Sequence, residues 1–144
     1  MRAHLVKDLH PYKTIANVSE KATIRDMAKL IVEHPGLHFL SVIDEGGYLL
    51  GLISRKRLFQ SIFSHHVSAS SMVTTLYSLL TSEYATDLLL KHVITCREMD
   101  SLDKAINTMI ENRLDGIPVL DGSGKYKGLL TIEQLLQNWL ESDN

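Results

Sequence analysis

The chain has 144 residues, of which 44% are hydrophobic and 22% are charged, and its formal net charge is −2. This balance is typical of a globular protein, and it excludes both the basic excess of a nucleic-acid-binding protein and the long apolar run of a membrane-spanning one. The N-terminus lacks the apolar core of a secretory signal, and the single cysteine, Cys96, cannot form an intramolecular disulfide. We therefore expect a cytoplasmic protein that binds neither nucleic acid nor membrane, with Cys96 as a buried core residue.

The first half of the chain predicts a strand, a helix, two strands and a second helix. After a lead-in over residues 1–13, residues 15–17 have extended character. Apolar residues then recur at intervals of three and four after Thr23, which is the stripe of a helix with one buried face. Two apolar runs flank a turn at residues 44–47 and predict a hairpin, and the next helix begins at Ser54.

The second half repeats this order. Residues 93–95 are extended, an amphipathic helix follows, and a second hairpin turns at residues 121–124. The last helix opens at Thr131, where Gln134 completes the sequence pattern of a capping box. Residues 67–84 have no counterpart in either repeat, and their apolar spacing predicts a helix that braces the two halves. Because each half is short for a core of its own, we expect the halves to pack into one globular unit.

The two copies also share specific residues. Asp44 corresponds to Asp121, and the run Gly-Leu-Ile-Ser at residues 51–54 corresponds to Gly-Leu-Leu-Thr at residues 128–131. The order of elements, the turn and this run before the last helix resemble the CBS domain (cystathionine-beta-synthase domain), two of which in tandem form a Bateman module. The likeness covers residues from about 6 to 139.

This resemblance implies an α/β (α+β) fold of two tandem β-α-β-β-α repeats packed with pseudo-twofold symmetry. Residues 1–66 are then the first CBS repeat with its lead-in, residues 67–84 the helical linker and residues 85–144 the second repeat. It also implies a homodimer of four repeats arranged as a flat disc, which regulates a protein target that the sequence does not identify. Apolar residues on two faces of the last helices, such as Phe59 beside Leu58 and Trp139 beside Leu136, agree with a partner chain.

In the CBS family each repeat offers a cleft for an adenosine-type nucleotide. A Ser or Thr hydroxyl and the helix N-terminus face the phosphates, an Asp three residues later holds the ribose hydroxyls, and apolar residues of the first two strands enclose the base. The resemblance implies AMP, ADP, ATP or S-adenosylmethionine as an effector and no required cofactor. Carried over by position, the ligand-binding residues are Ile15, Ala16, Leu40, Ser41, Ser54, Arg57, Val93, Thr95, Ile117, Pro118, Thr131 and Gln134.

This sequence departs from the family at the Asp, which is replaced by Arg57 and Gln134. Arginine has only donors, so it cannot accept hydrogen bonds from ribose. Two interpretations stay open: a sensor in which residues 55–57 attract a phosphate-rich ligand, and a ligand-independent dimerisation or protein-interaction module. In the same way, residues 55–57 are either an anion site or a solvated basic patch, and Pro118 either opens the strand pairing beside Thr95 or lies at a sheet edge.

Motifs for catalysis and for metal binding are missing from the sequence. No Gly-x-Ser-x-Gly, Walker loop or His-Glu-x-x-His pattern occurs, so we expect that the protein is not an enzyme. The adjacent His65 and His66 diverge in a helix or a strand and have no acidic or cysteine ligand at a suitable spacing, so we expect no metal site.

Overall fold

The computed structural model of the chain describes residues 3–63, 85–90 and 92–142. The helix predicted over residues 67–84 and the histidines at 65 and 66 lie outside these residues. The first repeat contains β1 (Asn17–Ser19), α1 (Ile24–Glu33), β2 (Phe39–Ile43), β3 (Leu49–Ser54) and α2 (Arg55–Phe63). The second contains β4 (Cys96–Arg97), α3 (Leu102–Asn112), β5 (Gly116–Leu120), β6 (Tyr126–Thr131) and α4 (Ile132–Ser142). Among the described residues, a short 3-10 helix precedes each repeat, at Val6–Leu9 and at Ala85–Leu88.

The strands form two three-stranded sheets, in the order β1-β2-β3 and β4-β5-β6. In each sheet the first pair of strands is parallel and the second pair is antiparallel. Asp44 and Asp121 correspond because each closes a hairpin: a carboxylate oxygen accepts the N–H of Tyr48 at 2.9 Å in one and that of Lys125 at 3.0 Å in the other. The α+β fold of two tandem β-α-β-β-α repeats is thus confirmed.

Side-chain caps fix where the first helix of each repeat begins. The Thr23 hydroxyl accepts the N–H of Asp26 at 3.1 Å, and the Asp26 carboxylate accepts the N–H of Thr23 at 3.1 Å. These bonds from Thr23 lower the pKa of Asp26 below its ordinary value. In the second repeat, Ser101 accepts the N–H of Lys104 at 3.1 Å. The caps define the starts of α1 and α3 on the chain.

The chain divides into two compact units, and the lead-in does not lie in the same unit as the rest of the first repeat. One unit combines Met1–Ile15 with Ile94–Asn144, and the other is Ala16–Val93. The boundaries expected for the repeats, residues 1–66, 67–84 and 85–144, stay a prediction, and the lead-in of the first repeat packs in the compact unit that contains the second. The reason is hydrophobic packing, because Val6, Leu9 and Tyr12 are buried in one core cluster with residues such as Met109 and Ile117.

The lead-in of the first repeat (residues 1–13) and that of the second repeat (residues 85–90) each pair with the free edge of a sheet. Lys13 pairs with Leu129 of β6 through two backbone hydrogen bonds of 3.0 and 2.9 Å. In the other unit, Leu90 pairs with Leu52 of β3 through bonds of 3.2 and 2.8 Å. An edge strand presents unpaired donors and acceptors, so these bridges satisfy groups that β3 and β6 would otherwise leave open.

Gly51 and Gly128 each come directly before one of these bridges. The close approach of the lead-in explains why both positions are glycine. A Cβ on Gly51 would lie 2.6 Å from the Leu90 carbonyl oxygen. A Cβ on Gly128 would lie 2.8 Å from the Cβ of Tyr12, and Gly128 has a φ of 142°, which favours glycine. Among the described residues, no helix has the length and apolar character needed to cross a membrane.

Candidate functional site

The last helix of each repeat starts directly after a strand, and its first N–H groups are largely used within the protein. The Ser54 hydroxyl accepts the N–H of Arg57 at 3.1 Å, and the Thr131 hydroxyl accepts that of Gln134 at 3.2 Å. The N–H of Arg55 donates to the His38 carbonyl at 2.9 Å. Two of the first three N–H groups of α2 are therefore satisfied, so the helix start offers fewer donors to an anion than its sequence indicates.

The Gln134 side chain does not complete the predicted capping box. Its amide nitrogen donates to the Leu9 carbonyl and, at 3.1 Å, to the Pro11 carbonyl. Only the bond from the Gln134 N–H to Thr131 forms, so the prediction of a full box is wrong. The physical reason is the docked lead-in, which brings two backbone acceptors within reach of this amide.

The three cations at the start of α2 do not converge. Arg57 is half-buried, and its Nε donates to the Leu88 carbonyl at 2.9 Å. Arg55 is exposed and donates from Nη1 to the Pro35 carbonyl at 3.3 Å, and Lys56 is exposed. The guanidinium of Arg57 is therefore held at the Leu88 carbonyl, whereas Arg55 and Lys56 are exposed to solvent.

The strand residues expected near the ligand in the first repeat lie together. Ala16, Leu40 and Ser41 are buried, and the Ser41 N–H donates to the Ala16 carbonyl at 2.9 Å. Ser54 ends β3 opposite Phe39, one residue before Leu40. Ile15 is exposed and belongs to the compact unit that holds the second repeat.

In the second repeat, Ile117 and Pro118 are fully buried in β5. The strand β5 is the central strand of its sheet, with Pro118 opposite Leu129, so the sheet-edge interpretation of Pro118 is wrong. Pairing with β4 starts only at Cys96, one residue after Thr95, because proline has no N–H to donate in the way that Ser41 does in the first sheet. Thr95 is half-buried, and Val93 belongs to the other compact unit.

One candidate residue was missed from the sequence. The side-chain oxygen of Asn17 is buried and has no hydrogen-bond partner among the described residues. Asn17 pairs with Ser41 and corresponds to Thr95, so the alignment of the repeats contained the signal. A buried acceptor without a donor costs about 1–3 kcal/mol, which a ligand donor can recover.

Two other side chains with reactive groups, Cys96 and Tyr12, have structural roles. Burial raises the pKa of the Cys96 thiol to about 12, so it is not a nucleophile near neutral pH. Tyr12 donates from its hydroxyl to Glu98 at 3.0 Å, and burial followed by this contact raises its pKa. Within the described part of the chain, no group of three His, Cys, Asp or Glu side chains could hold a metal ion.

In the described part of the unit that contains the second repeat, a polar pocket and an apolar groove are formed. A polar pocket of about 390 Å³ is lined by the 3-10 turn and α4, including His10, Gln134 and Asn138. An apolar groove of about 510 Å³ lies between α3 and α4 and includes Ile110, Ile132 and Leu136. Gln134, which is a predicted ligand-binding residue, lines the polar pocket. None of the predicted ligand-binding residues lines the apolar groove.

Comparison with known sequences identifies the repeats. The sequence model of the CBS domain matches residues 6–64 and 85–141. Homoserine O-acetyltransferase of Methanosphaera stadtmanae is 29% identical over 126 residues, which make up 88% of this chain and 22% of that protein. L-aspartate semialdehyde sulfurtransferase of Methanocaldococcus jannaschii is 24% identical over 134 residues, which make up 91% of this chain and 22% of that protein. The chain thus spans about a fifth of the length of these curated relatives.

Solved structures show the same fold. CBSX2 in complex with AMP has a TM-score of 0.78 and 23% identity, with 99% of this chain and 100% of that chain covered. The CBS domain pair of MJ0100, in complex with 5′-methylthioadenosine and S-adenosyl-L-methionine, has a TM-score of 0.68 and 21% identity, with 94% and 98% covered. With the family match over both repeats, these likenesses show that the chain belongs to the CBS-domain family, as a tandem pair of CBS domains.

Proposed function

We propose that this chain is a non-catalytic regulatory module that binds an adenosine-type nucleotide, or another anionic ligand, in a CBS cleft. The support from relatives is that CBSX2 binds AMP and that the MJ0100 pair binds 5′-methylthioadenosine and S-adenosyl-L-methionine. ADP and ATP belong to the same ligand class. The module passes its occupancy to a protein target, and its buried, reduced Cys96 suits a cytoplasmic setting.

The main support for this proposal comes from two residues of the first repeat, Arg57 and Asn17. The Leu88 carbonyl accepts a hydrogen bond from the Nε of Arg57, and the Ser54 hydroxyl accepts one from the Arg57 backbone N–H. The proposal assigns the remaining N–H groups of the guanidinium to an anion at the start of α2. The buried oxygen of Asn17 lacks a donor among the described residues. A phosphate group and an exocyclic amine are the two parts of an adenine nucleotide that match these groups.

A second candidate, a ligand-independent interaction module, is favoured by a different observation. Both residues that replace the family Asp already donate to backbone carbonyls, Arg57 to Leu88 and Gln134 to Leu9 and Pro11. In this case these side chains only fasten the lead-ins, and the fold serves to present helix surfaces to a partner.

A thermal-shift panel separates the two candidates. The chain is heated with adenosine, AMP, ADP, ATP and S-adenosylmethionine at several concentrations. A ligand of the folded state at a hundred times its dissociation constant adds about 2.7 kcal/mol of stability. The sensor proposal expects a concentration-dependent rise in Tm with at least one charged ligand. No rise with any member of the panel at millimolar concentration would favour the interaction module.

We also propose that the module is a homodimer, which follows from apolar side chains that both repeats expose. Phe59 on α2 and Trp139 on α4 are large and exposed. Side chains of this size on a monomer mark an interaction surface. We expect light scattering at micromolar concentration to give twice the protomer mass, and Trp139→Glu to reduce it; a monomeric wild-type protein would contradict the dimer.

A further inference from the structure

The lead-in of the second repeat (residues 85–90) is docked on the first repeat. Ala85 and Leu88 are fully buried, and Leu90 exchanges two backbone hydrogen bonds with Leu52 of β3. All of these residues belong to the compact unit that contains the strands and helices of the first repeat. The first repeat therefore holds the segment of chain that leads into the second repeat.

The side chain that contacts this lead-in is Arg57, the residue proposed above to bind an anion. Its Nε donates to the Leu88 carbonyl at 2.9 Å, and its backbone N–H donates to the Ser54 hydroxyl at 3.1 Å. Arg57 is half-buried. Both parts of the residue are therefore held, the backbone at the start of α2 and the guanidinium at the lead-in.

A guanidinium can hold a carbonyl and an anion at the same time. Its five N–H donors lie in one plane, so a hydrogen bond from Nε restricts the plane in which the Nη donors lie. A free arginine side chain loses rotamer freedom when it binds an anion, whereas one that is already held at a carbonyl has lost part of that freedom beforehand. The docked lead-in thus prepares the guanidinium of Arg57 for an anion.

We propose that Leu88 is a positioning residue for the ligand of the first repeat, so that ligand binding and docking of the lead-in at residues 85–90 reinforce each other. This inference rests on the ligand site proposed above and adds its regulation. Coupling between two equilibria is reciprocal: if docking raises the ligand affinity by a given factor, the bound ligand favours docking by the same factor. Occupancy of the first repeat is then passed to the segment of chain that leads into the second.

Two glycines allow the docking to be disturbed in one compact unit at a time. A Cβ on Gly51 would lie 2.6 Å from the Leu90 carbonyl oxygen, so Gly51→Ala should displace the lead-in of the second repeat. Gly128→Ala should displace the lead-in of the first repeat at Tyr12 and is the matched control. ATP affinity is measured by calorimetry at a temperature at which both variants are folded. We expect Gly51→Ala to weaken ATP binding by about fivefold or more and Gly128→Ala to leave it within about twofold.

Amide hydrogen exchange of the wild-type protein tests the same coupling without a variant. The N–H groups of Leu52 and Leu90 report the docking of one lead-in, and those of Lys13 and Leu129 report the docking of the other. With saturating ATP, we expect exchange at Leu52 and Leu90 to slow by a factor similar to the affinity loss of Gly51→Ala, because the coupling is reciprocal. Exchange at Lys13 and Leu129 should slow by less.

Other results separate the coupling from the ligand site. If ATP binds wild type and Gly51→Ala with the same affinity and leaves exchange at Leu90 unchanged, the coupling is wrong and the ligand site stands. If ATP speeds exchange at Leu90, or if Gly51→Ala binds ATP more tightly, the anion competes with the Leu88 carbonyl for Arg57, which also contradicts the coupling. Equal weakening in both glycine variants would likewise count against it. If ATP does not bind the wild-type protein, the ligand site and the coupling both fail.

Discussion

Arg57 and Gln134 make the same contact in the two compact units. Arg57 donates to the carbonyl of Leu88 and Gln134 to that of Leu9, and each carbonyl ends the 3-10 turn that precedes a repeat. The residue that replaces the family Asp is thus a donor that fastens a lead-in to the helix start. A carboxylate at either position would face a backbone oxygen, so the departure from the family pattern has a structural cause.

Gln134→Glu tests this fastening in the second repeat. The change is nearly isosteric, but it replaces the donor to Leu9 and Pro11 with an acceptor. We expect the free energy of unfolding at neutral pH to fall by about 1–3 kcal/mol in urea titrations. Gln60→Glu, at the exposed equivalent of Gln137 on α2, adds the same charge and should stay within about 0.5 kcal/mol of wild type.

Leu9→Ala tests the assignment of the lead-in to the second repeat. Leu9 is buried in the core cluster that contains Met109 and Ile117, so its truncation should cost about 2–5 kcal/mol. Hydrogen exchange should locate the loss in β5 and β6 more than in β2 and β3. Faster exchange confined to the first repeat would contradict the grouping.

Gly128→Ala tests the close approach of the lead-in to β6. The new methyl group would meet Tyr12 at 2.8 Å, and alanine tolerates a φ of 142° poorly, so we expect a loss of about 1–3 kcal/mol or more. Gly122→Ala is the control, because nothing lies within 4 Å of its Cβ position. Equal Tm values for the two variants would rule out the described contact.

Asn17→Leu separates a ligand contact from a structural role. If the buried oxygen serves a ligand, its removal should leave the unliganded protein as stable as wild type or more so, by up to about 1–3 kcal/mol. The stabilisation by a bound nucleotide should decrease in the same variant. A destabilised protein with unchanged ligand response would show that Asn17 is structural.

The sequence predicted the repeats better than it predicted their contacts. Helix periodicity and the two hairpin turns depend on neighbouring residues, so Thr23 and Asp44 could be interpreted locally. The docking of Val6 on the second repeat is a long-range contact that local patterns do not contain. The spacing of Gln134 from Thr131 fits a capping box. Only the folded position of the Leu9 carbonyl shows that the Gln134 side chain donates to that carbonyl instead. The central place of Pro118 likewise depends on the order of strands.

Calorimetry with ATP on wild type and Arg57→Gln tests whether the first repeat binds an anionic nucleotide through Arg57. Glutamine is the residue that the second repeat uses to hold the equivalent carbonyl, so this variant removes the positive charge and keeps a donor for Leu88. Lys56→Gln is the charge-matched control. We predict that wild type binds ATP more tightly than adenosine, that Arg57→Gln weakens ATP binding by about tenfold or more, and that Lys56→Gln leaves it within about twofold. Adenosine binding as tight as ATP binding, or equal ATP affinity in wild type and Arg57→Gln, would contradict the claim.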